Sequence, residues 1–192
     1  MRLFAGIPLA AAVIDELSTI SVRLRSSTDG LRWSAPESWH ITLQFLGHST
    51  PAQLESLGTR LADVRSLPVP VQLGKLGSFE RAGVFFADVV VTQELAALQE
   101  RVVDGTSRCG FFAESRPFHP HITLARKAGN QGSREPGNEN ARSSSLTLRH
   151  LTEKPGPVRF TGFVAREFLL YESHLSSEGS RYEVRARFPL GS

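Results

Sequence analysis

Cysteine is nearly missing from this chain: Cys109 is the only one in 192 residues. A lone thiol excludes an intrachain disulfide and every zinc or iron–sulfur site built on several cysteines, and it suits a reducing compartment. Cys109 is read as a structural thiol. Lysine is almost as scarce, three residues against nineteen arginines, so the formal net charge of +3 rests on guanidinium groups. Arginine's planar fork fits phosphate oxygens better than lysine's point charge, although so mild a bias permits an anionic partner without demanding one. Long apolar runs are lacking too. Mean hydropathy is −0.16, and no stretch approaches the ~18 residues of a membrane-spanning helix. The run Leu3 to Ile14 is not read as a secretory signal, because Arg2 is its whole positive region, Pro8 interrupts it and Asp15 and Glu16 follow. A hydrophobic share of 40% against 21% charged residues excludes a disordered chain. The expectation is a cytoplasmic protein with no membrane partner, a single domain over 1–192.

What is present is a series of short elements. A strand is predicted over Arg2–Gly6, then a helix opening near Pro8, where proline at the first turn costs nothing. Trp39 to Leu46 is the clearest strand. Helices are predicted from Pro51 to about Val64 and from Gln93 to Ser107 on their 3.6-residue periodicity. Val69–Leu76 and Val84–Val91 read as strands around a turn at Gly77–Gly83, and Pro117–Ala125, Val158–Tyr171 and Tyr182–Phe188 as later strands. Residues 129–145, rich in Gly, Ser, Asn and charge, read as a flexible loop. Helices do not alternate strictly with strands, so the pattern predicts an α+β fold with antiparallel sheets and not a doubly wound parallel one.

One short constellation occurs twice. His40-Ile41-Thr42-Leu43 and His121-Ile122-Thr123-Leu124 share their core, lie nearly half a chain apart and sit in strand-like segments, which suggests an internal duplication. On a strand, residues i and i+2 share a face. His40, Thr42 and Gln44 are then expected on one face, with Ile41, Leu43 and Phe45 on the other; His121 and Thr123 likewise face away from Ile122 and Leu124. Each strand offers an imidazole beside a hydroxyl, and a pseudo-twofold would set two such pairs across a cleft. In-line attack at phosphorus needs a base on the entering oxygen and an acid on the leaving one, and histidine can be either near neutral pH. Hydroxyls can donate to the non-bridging oxygens as charge builds there. This chemistry requires no metal.

The flanks sharpen the picture: Arg2-Leu3-Phe4, Trp39-His40-Ile41-Thr42-Leu43 with Phe45-Leu46-Gly47, Pro117-Phe118-His119-Pro120-His121-Ile122-Thr123-Leu124-Ala125-Arg126, and Leu170-Tyr171-Glu172-Ser173. With them the chain resembles, from Arg2 to Leu190, the two-histidine phosphoesterase superfamily, and within it the bacterial and archaeal RNA 2′,3′-cyclic phosphodiesterases, historically called 2′-5′ RNA ligases. The resemblance implies a bilobal α+β fold: two antiparallel sheets with pseudo-twofold symmetry, helices outside and the active site in the central cleft. It implies hydrolysis of RNA 2′,3′-cyclic phosphate ends, tRNA fragments among them, to 2′-phosphomonoesters by a monomer without cofactor, with a weak reversible 2′-5′ ligase activity. It implies His40 as proton donor, His121 as proton acceptor, and Thr42, Thr123 and Arg126 on the phosphate. Strict alternation turns Arg126 away from His121, so the strand must end or twist after Leu124 for Arg126 to serve.

Other readings compete. Trp33 and Phe118 are candidate base-stacking residues, against the plainer role of core packing. His119 lies two residues before His121, but His-x-His with no third ligand in the sequence is too little for zinc, and no metal ligand is assigned. His48, His150 and His174 receive no role. Alternative functions are a cyclic phosphodiesterase of a small nucleotide such as ADP-ribose cyclic phosphate, a catalytically silent RNA-binding module, and a His-ligated metallohydrolase. Two intact His-x-Thr motifs argue against the silent module.

Overall fold

The computed structural model of the chain describes residues 1–25, 30–127, 148, 150–152, 158–176 and 179–191. The predicted loop over 129–145 lies outside the described residues. The described elements are β1 (Arg2–Pro8), α1 (Ala11–Leu24), β2 (Leu31–Trp33), β3 (His40–His48), α2 (Pro51–Ala62), β4 (Val69–Val71), β5 (Leu73–Phe79), β6 (Val84–Val89), α3 (Gln93–Ser107), β7 (His121–Lys127), β8 (Phe163–Ala165), β9 (Glu167–Ser176) and β10 (Gly179–Pro189). They form an α+β fold with two four-stranded sheets, ordered β10-β9-β1-β3 and β2-β7-β6-β5, and a small β4-β8 pair. Every pairing is antiparallel. The sheets do not follow the two halves of the chain. The last two strands complete the first sheet, and β2, from the first half, edges the second.

The starts of α2 and α3 follow capping chemistry. In α2 Pro51 stands in the first turn, and Thr50 and Gln53 exchange backbone and side-chain bonds as a capping box. Thr92 caps α3 by accepting from the Leu95 N–H. The buried faces, Val13, Leu17, Ser21 and Leu24 on α1 and Leu95, Leu98, Val102 and Thr106 on α3, recur at helical spacing. Pro8 does not open α1; it ends β1, paired with His40, and the helix begins at Ala11. β7 begins at His121 and not at Pro117, since Pro117 and Pro120 have no N–H for a ladder. The stretch Val69–Leu76 breaks at Gln72, whose side-chain amide donates to the carbonyls of Leu73 and Phe160. The strand after it persists to Phe79, and the turn is completed by Gly83 at φ +63°. The region read as one strand from Val158 to Tyr171 is two, β8 and β9.

In each sheet one face joins the main core and the other faces a cleft. Along β1 the alternation is strict: Leu3, Ala5 and Ile7 enter the main core, whereas Phe4 packs with Leu169, Tyr171 and Tyr182 on the cleft side.

Candidate active site

The two repeated motifs lie on β3 and β7, which approach one another. β3 is the edge strand of its sheet and β7 an inner strand of the other, but each pairs with a largely buried neighbour, and the two ladders correspond residue for residue. Ile41 faces Ile7 as Ile122 faces Ala87, Thr42 faces Gly6 as Thr123 faces Phe86, and His40 faces Pro8 as His121 faces Asp88. Both ladders then skip one residue at the same place, Leu43 in β3 and Leu124 in β7. This β-bulge reverses the alternation. Leu43 and Gln44 are both buried, as are Leu124 and Ala125, and the next residues, Phe45 and Arg126, return to the cleft face. The requirement that the strand twist for Arg126 to serve is met by the bulge. Gln44 is the correction: it does not share the face of His40, but lies inside, accepting from Thr106 Oγ1 at 2.6 Å. Phe45, expected in the core, is 54% exposed.

A cavity of about 170 Å³ collects His40, Thr42 and Phe45 from β3, His121, Thr123 and Arg126 from β7, Arg32 from β2 and Tyr182 from β10. Each imidazole is held alike: His40 Nδ1 lies 2.8 Å from the Ser38 carbonyl and His121 Nδ1 2.8 Å from the His119 carbonyl. A carbonyl only accepts, so Nδ1 carries the hydrogen in both and Nε2 is left for the substrate.

The surroundings differ. His40 leans on Phe4 at 4.5 Å between ring centroids, with Tyr171 and Tyr182 at 5.7 and 5.0 Å. Gly6 permits this, since a Cβ there would come within 3.5 Å of the His40 ring and 2.9 Å of the Ile41 carbonyl. Burial is the main cause that takes the His40 pKa down to about 4, with the charges of His121 and Arg126 adding to it and the Ser38 carbonyl opposing. His121 also lies below the usual 6.5, again mainly through burial, opposed by the His119 carbonyl and the Asp88 carboxylate. Phe79 and Phe86 contact it at 5.0 and 5.2 Å. Burial pushes the Tyr171 phenol up to about 12, so it serves as wall and not as acid.

Of the residues singled out in sequence, His40, Thr42, His121, Thr123 and Arg126 come together. Trp33 reaches the rim, but its ring meets Phe85 edge-on at 5.8 Å beneath the Arg25 guanidinium. Phe118 packs partly buried against the main core and is not among the described residues that line the cavity. Sequence reasoning missed Arg32, Phe45 and Tyr182, whose contribution depends on bulges and strand order. His119 has a carboxylate partner that the sequence did not show: its Nε2–H donates to Asp88 Oδ1 at 2.9 Å, from the neighbouring strand. Elsewhere Glu172, His174 and Glu183 have ligand atoms within 4.8 Å of one another, but Arg185 already pairs with both glutamates.

The family profile described as the 2′-5′ RNA ligase superfamily matches residues 9–161. The chain is 32% identical over 97% of its length to an RNA 2′,3′-cyclic phosphodiesterase of Geobacillus stearothermophilus, of which it spans 56%. It is 30% identical over 83% of its length to the Bacillus subtilis protein of the same name, of which it covers 80%. In fold it is similar to Escherichia coli LigT complexed with 3′-AMP, with a TM-score of 0.75 at 24% identity, covering 100% of this chain and 98% of that one.

Proposed function

This chain belongs to the 2′-5′ RNA ligase superfamily, and from that premise we propose that it is an RNA 2′,3′-cyclic phosphodiesterase that opens cyclic ends to 2′-phosphomonoesters by paired-histidine catalysis. The observation that carries the reading is the mirrored pair of Nδ1-anchored imidazoles, each beside a threonine, in one cavity with Arg126. His121 Nε2 takes a proton from water as its oxygen attacks phosphorus. The P–O3′ bond breaks, and His40 Nε2 gives a proton to O3′. Thr42, Thr123 and Arg126 hold the non-bridging oxygens as negative charge gathers. The division of labour is supported by the surroundings: Asp88 favours a proton on His121, whereas an imidazolium in the aromatic box around His40 is a strong acid. His40 is mostly neutral in the free enzyme at pH 7. The bound anion supplies the opposite charge that favours its protonation.

The cavity is smaller than the ~300–1,000 Å³ of an enclosed small-molecule site, so it accepts the reacting phosphate and ribose and leaves the base at the rim, beside Phe45 and Tyr182. An RNA end fits that arrangement better than a wholly engulfed nucleotide. Run backwards, with a 5′-hydroxyl in place of water, the same groups would join 2′-5′ ends. We propose one bilobal domain over residues 1–192.

The test is an oligonucleotide with a 2′,3′-cyclic end, with the product identified. A 2′-phosphate and full activity in excess EDTA are expected, because two imidazoles supply acid and base and cationic and hydroxyl groups meet the charge. A 3′-phosphate would reverse the O3′ assignment, and activity lost to EDTA and restored by Zn²⁺ or Mn²⁺ would favour the metallohydrolase.

A further inference from the structure

Arg32 has no part in the chemistry described so far, yet it faces the same cavity. It lies on β2, the edge strand of the second sheet, and is paired in register with Arg126 on β7. Directly paired residues on antiparallel strands project from one face with Cβ atoms ~4.5–5.5 Å apart, and like charges there destabilise the sheet. Among the described residues nothing relieves the cost. No carboxylate among the described residues forms an ion pair with either arginine, and the described residues that line the cavity include no Asp or Glu. The charge of Arg126 acts on both imidazoles.

Two guanidiniums exceed what one cyclic phosphodiester, with a single negative charge, calls for. We propose that Arg32 holds a second phosphate, the internucleotide linkage on the 5′ side of the terminal nucleotide, while Arg126 stays on the reacting phosphate. The preferred substrate class is then an oligonucleotide end and not an isolated nucleoside cyclic phosphate. Ser34 lies two residues beyond Arg32 and also lines the cavity, so it offers a hydroxyl to the same group. The inference rests on the phosphodiesterase reading of the site and adds the element that recognises the polymer.

The experiment compares a nucleoside 2′,3′-cyclic phosphate lacking a 5′-phosphate with a dinucleotide ending in a 2′,3′-cyclic phosphate, using the whole chain and its Arg32→Gln variant. The wild type is expected to favour the dinucleotide in kcat/KM by about 10–100-fold, the scale of a charge-assisted hydrogen bond. Arg32→Gln should remove most of that preference and leave the mononucleoside rate within about threefold. Its dinucleotide KM should also depend less on salt, the log–log slope falling by ~0.7 for one lost phosphate contact on a single strand. Arg32→Gln should melt no lower than wild type, since it relieves a like-charge pair, so a loss of preference cannot be ascribed to unfolding. An equal loss on both substrates would place Arg32 on the reacting phosphate and overturn the inference. A wild type indifferent to the second phosphate would overturn it while leaving the phosphodiesterase reading intact. A wild type that opens neither substrate would remove both.

Discussion

At the scale of single residues, the site depends on hydroxyls and rings placed by their neighbours. Thr42 and Thr123 line one cavity with the two imidazoles and Arg126, so each should contribute a donor that strengthens as phosphorus becomes five-coordinate. Thr42→Val and Thr123→Val keep the β-branch and should leave the melting curve unchanged while lowering kcat by about 10²–10³-fold, the magnitude of one lost oxyanion donor. Wild-type turnover in both would mean that the hydroxyls do not meet the phosphate. The pH dependence has a fixed sign. His40 at about 4 and His121 below 6.5 are both neutral above pH 6.5 in the free enzyme. In the proposed mechanism the reactive form needs a proton on His40, so kcat/KM should fall about tenfold per pH unit above 6.5, whereas kcat should resist because the bound anion would hold that proton. A kcat/KM optimum above pH 7.5 would contradict the burial of His40. Stability carries the same signature. Between pH 6.5 and 4 the unfolded chain binds more protons at this position, so native stability is lost on acidification, by at most ~3 kcal/mol from His40. Melting across that range with phosphate present or absent measures it.

At the scale of elements, the bulges and one glycine decide what each strand presents. Periodicity located β3, α2 and α3 and put His40 with Thr42 and His121 with Thr123, because these relationships are local and follow from side-chain alternation. It misplaced Gln44 and Phe45, and left Arg126 to an unspecified twist, because a bulge depends on register against a partner strand, which a single strand's sequence does not carry. The two bulges correspond, yet they deliver an aromatic ring at Phe45 and a cation at Arg126. Gly6 is the second such device. Gly6→Ala would bring a Cβ to 2.9 Å from the Ile41 carbonyl, and backbone cannot yield as a flexible side chain does. The expected outcome is a loss of ~1–3 kcal/mol with kcat/KM down at least tenfold, through displacement of His40. Chemical denaturation and steady-state kinetics on the same preparation check both. A stable variant of full activity would show that His40 does not depend on the close approach of β1.

At the scale of the whole molecule, both motifs lie before residue 127, but the site is not complete without the last strands. β9 pairs with β1, β10 pairs with β9, and together they supply Phe168, Leu170 and Phe188 to the core and Tyr171 and Tyr182 to the wall around His40. A chain truncated after residue 166 should therefore fail to fold cooperatively, by calorimetry and circular dichroism, although it keeps every proposed catalytic residue. A cooperative, active fragment would mean that the first sheet closes without them. The sequence by itself determined the chemistry on offer, two imidazole–hydroxyl pairs and an arginine, and the helical and strand segments that carry them, since composition and alternation act over a few residues. Only the tertiary structure decided that the lobes exchange strands, that the bulges return Arg126 and Phe45 to the cleft, that Arg32 comes to lie opposite Arg126, and that burial among Phe4, Tyr171 and Tyr182 depresses His40. Those depend on which distant strands pair and in what register, and that is settled by burying all the apolar faces at once.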